Sequence, residues 1–208
     1  ARIFVTLGAF FAVVIPFASL SLSIREQVRA FYKKEAKGIV LRDIVLSPMP
    51  SNPFCWRLIT VETLQTLASY RLKSGIVAPF PRLMRAESCM RFFPNLGRPV
   101  EHVPGIGEPS QLVWIKQIDV PLSLLQALAK EYCEVGAYLK FARTPYFYKA
   151  DKQLVMADLR FDAIRGRNFG EMVLSPDRQQ CSGVVPTWEE PFRELLQAEL
   201  QVLGPAQE

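Results

Sequence analysis

A chain of 208 residues that is 50% hydrophobic and 22% charged, with 4 cysteines and one histidine, is poorly suited to disorder, to a disulfide-dense scaffold or to a collagen-like fibre. One histidine also argues against a self-contained zinc enzyme, whose catalytic site usually draws on two or three imidazoles. The net charge of +5 is local: residues 25–42 hold Arg25, Arg29, Lys33, Lys34, Lys37 and Arg42 against Glu26 and Glu35, whereas residues 43–208 carry 18 basic and 18 acidic groups. A neutral body has no broad basic face, so no nucleic-acid partner is expected.

Residues 1–24 form the first predicted element. No charge occurs in the 22 residues from Ile3 to Ile24, and a helix of that length spans about 33 Å, enough for a hydrocarbon core of about 30 Å. A signal peptide has a shorter apolar core, about 7 to 15 residues. Gly8 and Pro16 are tolerated in a lipid-embedded helix, so the segment reads as transmembrane. One Arg precedes it and six basic residues follow within eighteen positions, which by the positive-inside rule predicts an inner-membrane protein with a cytoplasmic C-terminal domain. Cys55, Cys89, Cys133 and Cys181 are dispersed without a CxxC and read as buried thiols of a reducing compartment, neither bridges nor metal ligands. The chain begins at Ala1 instead of Met, and further membrane helices are expected upstream.

Residues 25–38 continue as a basic, membrane-proximal stalk helix, with Ile24, Val28, Phe31 and Tyr32 on one face and Gly38 as its stop. Residues 39–208 then read as one α+β domain. Strands are predicted at 39–46 and over 56–72, the latter a hairpin turning near 64–66, and SPMPSNP between them as a rigid extended connection. The segment 93–110, with four prolines, three glycines, Glu101 and the lone His102, excludes helix and central strand. Asp119 is predicted to cap a helix through LSLLQALAKEY, with helical character resuming at YLKFA before Pro145. A hairpin turning at 150–152, a strand at 169–174 and an amphipathic helix at 187–203 complete the chain.

No HExxH, GxSxG or P-loop is present, Gly105-Ile106-Gly107 lacks the third glycine of a dinucleotide turn, and Cys133 with His102 is a chance pairing of residue types. On a strand through 154–161, Asp158 and Arg160 would share one face about 7 Å apart. Together with Asn52, Trp56 and Arg57 they form the candidate substrate-binding or structural polar groove.

These residues also carry a resemblance. The run PMPSNPFCWRLITVE, and later YLKFARTPYFYKADKQLVMADLRFD with FGEMVLS, resemble the C-terminal region of the YdjM-like family of membrane-bound metal-dependent hydrolases. The family's Pro-x-Pro-x-Asn-Pro-x-x-Trp-Arg segment is matched by Pro48, Pro50, Asn52, Pro53, Trp56 and Arg57. Its later Trp-x-Arg-x-Pro and Asp-Leu-Arg-Tyr segments are matched except at Phe141 and Phe161. The resemblance covers roughly Leu46 to Leu174. It implies that this chain is the C-terminal portion of such a hydrolase, with the divalent metal and its His and Asp ligands in an N-terminal membrane half. No metal ligand or catalytic residue is therefore carried onto this chain, and no cofactor is expected in it. Expected partners are membrane lipid and other membrane helices of the same protein. The alternative is a non-enzymatic membrane-anchored adaptor whose domain binds a protein.

Overall fold

A computed structural model describes residues 2–35, 38–50, 52–64, 69–93, 111–162 and 170–174. The segment with Glu101 and His102, the helix expected at 187–203, and Cys181 lie outside the described residues. The fold is α+β, with a long N-terminal apolar helix followed by antiparallel sheets and shorter helices. Two compact units are resolved, one of residues 1–60 and 73–117, the other of 61–72 and the residues from 118 on.

Helix α1 (Arg2–Glu35) runs unbroken through the expected transmembrane and stalk segments. Among the described residues it is the one helix long and apolar enough to cross a membrane. Its two halves differ in what covers them. Phe4, Val5, Phe10, Phe11, Val13 and Ile15 are exposed, whereas Ile24, Val28 and Tyr32, spaced by four, are buried. The second half is thus a core element of the first unit and not a free stalk. Gly38 follows at φ +81°, a left-handed position that suits glycine after a helix.

Strands β1 (Ile39–Met49), β2 (Asn52–Leu64), β3 (Ser69–Val77) and β4 (Leu112–Pro121) form a sheet in that order. The proline-rich connection is shorter than expected: Ser47, Pro48 and Met49 belong to β1 and Asn52 and Pro53 to β2, so only residues 50 and 51 separate the strands. Links this short permit only antiparallel pairing. The prolines sit where strands tolerate them, on edge strand β1 and at the start of β2.

In the first unit both faces of this sheet are covered. Trp56, Leu58, Val77, Leu112 and Trp114 join Ile24, Val28 and Tyr32 of α1 in one cluster. The alternate residues Cys55, Ile76, Ala78, Val113 and Ile115 pack with Ala86 and Cys89 of the short helix α2 (Ala86–Cys89). Cys55 and Cys89 form a disulfide, and Cys133 is disulfide-bonded as well, which corrects the expectation of free buried thiols. Gly75 is required at its place in β3, because a Cβ there would lie 2.6 Å from the Val113 carbonyl oxygen and 2.9 Å from the Trp114 ring.

In the second unit, α3 (Leu122–Glu131) and α4 (Cys133–Leu139) precede a sheet of β5 (Pro145–Ala150), β6 (Gln153–Asp158) and β7 (Glu171–Leu174), antiparallel throughout. The β5–β6 turn falls where expected, with Asp151 and Lys152 at φ 48° and 70°, the paired left-handed conformation of a two-residue hairpin. Asp119 does not cap α3. It lies in β4 and pairs with Arg71 at 2.6 Å, while Pro121 occupies the cap position without a side-chain bond.

Candidate functional site: an apolar pocket beside the long helix

Asn52, Trp56 and Arg57 lie on β2 in the first unit. The Asn52 Oδ1 accepts the Phe54 N–H at 3.0 Å, and the Trp56 Nε1–H donates to the Pro53 carbonyl at 2.8 Å. These bonds fix the entry of β2, and the Trp56 ring rests 5.9 Å from that of Phe17 on α1. Arg57 is buried with its Nε 3.5 Å from the Ser74 Oγ. The proline-rich motif therefore locks a strand onto the helix.

Asp158 and Arg160 belong to the second unit and form a closed cluster. Strand β6 ends at Asp158, and Leu159–Phe161 make a 3-10 turn, so the expected strand geometry with two side chains 7 Å apart gives way to direct contact. The Asp158 carboxylate accepts from the Thr144 hydroxyl at 2.6 Å, the Arg143 and Arg160 backbone N–H at 3.0 and 2.9 Å, and the Arg160 Nη2 at 2.8 Å. Burial alone would raise its pKa, but the hydrogen bonds from Arg160 and Thr144 and the Arg160 charge outweigh it and hold the carboxyl below its ordinary value. The guanidinium carbon of Arg160 lies 5.3 Å from the Phe141 ring centre and 5.0 Å from that of Phe161, the two positions at which this chain departs from the resembled motif. Tyr70, wholly buried, donates to the Pro145 carbonyl at 2.7 Å, and burial followed by the Asp158 charge pushes its phenol well above its ordinary pKa. A carboxylate this fully satisfied is a fastener of the chain, with its side chain wholly enclosed.

A cavity in the first unit has the features of a binding site. It has a volume of about 530 Å³, within the range of small-molecule sites, and lies where the apolar stretch of α1 meets the sheet. Phe17 and Leu20 of α1, Pro53 and Phe54 of β2, and Pro79 and Phe80 after β3 make its apolar body; Ser19, Ser23 and Gln27 give it a polar end. Gln27 is held there, its Nε2 donating to the Ser23 Oγ at 3.2 Å and its Oε1 accepting from Gln111 at 2.7 Å. Among the described residues no three His, Cys, Asp or Glu side chains gather in a way that could hold a metal ion.

Sequence reasoning missed this pocket because its walls are ordinary apolar residues from three separated segments. Its visible trace is the spacing of Phe17, Leu20, Ile24 and Val28, a helical face that crosses the boundary drawn at residue 24 and marks α1 as partnered before it leaves the apolar stretch. Comparison with family models, curated proteins and solved structures finds no match for this chain.

Proposed function

We propose that this chain is a membrane-anchored domain that holds the hydrocarbon part of a membrane-derived amphiphile. The setting its motif resemblance implies is the non-catalytic portion of a YdjM-like membrane-bound metal-dependent hydrolase. The observation that carries the reading is the pocket itself: an apolar body with a hydroxyl- and amide-lined end, on the membrane-helix face. A 20-residue hydrocarbon crossing that begins at Ile3 ends at Leu22, so Phe17 lies about 8 Å inside the boundary and Ser23 at it. A lipid-like chain would enter sideways, with its polar group near Ser23 and Gln27. In the hydrolase setting, the metal centre belongs to other membrane helices, and this domain supplies substrate holding.

The compartment reading rests on two opposing observations. The basic flank after α1 favours the cytoplasm, while the Cys55–Cys89 bridge and the bonded Cys133 favour an oxidising compartment. The bridges weigh more, because the first cation of the basic flank is engaged in the fold: Arg25 donates to the Ile44 carbonyl at 2.6 Å. We therefore assign the domain to the exoplasmic side of its membrane.

A diazirine-bearing palmitoyl phospholipid in vesicles holding the full chain tests the pocket. Photolabelling is expected at Phe17, Leu20 and Phe54, and Leu20→Trp, which fills the cavity, should remove it at Phe17 and Phe54. Labelling confined to Phe4–Ile15 and unchanged by Leu20→Trp overturns the reading.

A further inference from the structure

The turn after β3 presents two large apolar side chains to the outside: Phe80 is 46% exposed and Leu83 71%. Arg82 and Arg85, both exposed, flank Leu83. The backbone enforces this display. The Phe80 carbonyl accepts the N–H of Leu83 at 2.9 Å and of Met84 at 3.0 Å, and the Arg85 carbonyl accepts those of Ser88 and Cys89. The Cys89 disulfide then ties the segment to β2. A backbone-fixed turn that holds both side chains outward points to an apolar phase that receives them.

That phase is set by position. Phe80 shares the pocket wall with Pro16, Phe17 and Leu20, so the turn stands beside the last turns of the apolar stretch of α1. The outward-facing residues of that helix, Phe10, Phe11, Val13 and Ile15, lie just before it in sequence. The exposed apolar residues of α1 thus end, in sequence, at the stretch beside which Phe80 stands. The cations match the other component of a bilayer: Arg85 makes only a 3.8 Å pair with Glu87 and keeps a 69% exposed side chain, free enough to meet phosphate.

We propose that the turn at residues 79–85 is a second membrane contact, with Phe80 and Leu83 inserted into the outer part of the bilayer and Arg82 and Arg85 among anionic headgroups. The contact fixes the tilt of the first unit in the bilayer. It rests on the membrane-spanning reading of α1 and is independent of any ligand in the pocket.

Nitroxide labels at Leu83→Cys, Phe11→Cys and Val40→Cys, one at a time, in the full chain reconstituted into phosphatidylcholine vesicles containing phosphatidylglycerol, give the test by collision with oxygen and with a water-soluble nickel chelate. Oxygen access is expected to dominate at 83 and 11, and nickel access at 40, which follows the far end of α1. Nickel access at 83 equal to that at 40, with 11 still shielded, overturns the second contact alone; nickel access at 11 overturns the span and the contact with it. Arg82→Gln with Arg85→Gln, or omission of phosphatidylglycerol, should raise nickel access at 83 several-fold while the label at 40 is unchanged. No rise removes the headgroup role.

Discussion

Removing the Cys55–Cys89 bridge tests how far the first unit depends on it. The bridge closes a loop with a sequence separation of 34; the chain-entropy relation −2.1 − 1.5R ln n then gives about 12.6 cal/mol/K, or about 3.8 kcal/mol at 25 °C. Both sulfurs are fully buried among Ile76, Ala78, Ala86, Val113 and Ile115, so Cys55→Ala with Cys89→Ala avoids burying hydroxyls and leaves Cys133 untouched. The expected loss is about 3 to 4 kcal/mol, read from urea unfolding of the full chain in detergent micelles without reductant. The loss should have a place as well as a size. Helix α2 has four residues, far fewer than the roughly 12 at which an isolated helix becomes even marginal. Amide exchange at residues 85–93 should therefore rise before that of β2. A loss under about 1 kcal/mol, or unchanged protection at 85–93, would refute the view that the bridge holds this segment to the sheet.

Asp158→Ala should cost about 3 to 5 kcal/mol, because it strands the Arg160 guanidinium, whose side chain is only 20% exposed; urea midpoints at pH 7 measure it. The lowered Asp158 pKa stabilises the fold fully above the unfolded value near about 3.9, and that stability is lost as pH falls through the folded value. Asp158→Asn should flatten this acid limb, and a limb unchanged by the substitution would contradict the assignment. Gly75→Ala should destabilise by about 1 to 3 kcal/mol through collision with β4, seen as a lowered urea midpoint with an unchanged slope. Alkaline phosphatase fused after Glu208 should be active in intact cells and a fluorescent-protein fusion dark; the reverse would return the domain to the cytoplasm.

The elements most legible in the sequence were those whose pattern is local. The 22-residue apolar run, the hairpin at 150–152 and the helix after Pro121 each rest on neighbouring residues. What failed was assignment of a residue's partner. Asp119 has the chemistry of a helix cap, yet Arg71, 48 positions away, takes it. Asp158 and Arg160 suggest one strand face, but the backbone turns at Leu159 so that the carboxylate can collect the Arg160 and Arg143 N–H groups. At Ile76–Ala78 and Leu112–Ile115 the strand period is masked, since alternate residues pack into the α1 and α2 clusters and leave a continuous apolar run.

The two motifs behind the family resemblance also become intelligible as physics. Within β2 the Trp56 indole bonds the Pro53 carbonyl, and the ring so oriented packs against Phe17 of α1. Thr144, Asp158 and Arg160 fasten the strands of the second unit, with Phe141 and Phe161 stacked about the guanidinium. The indole N–H, the Asp158 carboxylate and the Arg160 guanidinium are each held by partners within the chain, which accounts for these motifs as features of the fold. Shared possession of such fasteners would mark two chains as alike in architecture while leaving their chemistry to be decided elsewhere. Among the described residues, the surfaces proposed above to meet another molecule are plain ones: the pocket lined by Phe17, Leu20 and Phe54, and the outward turn bearing Phe80 and Leu83. Both lie beside the apolar helix, and that position is the reason a lipid was proposed above in preference to a polar solute.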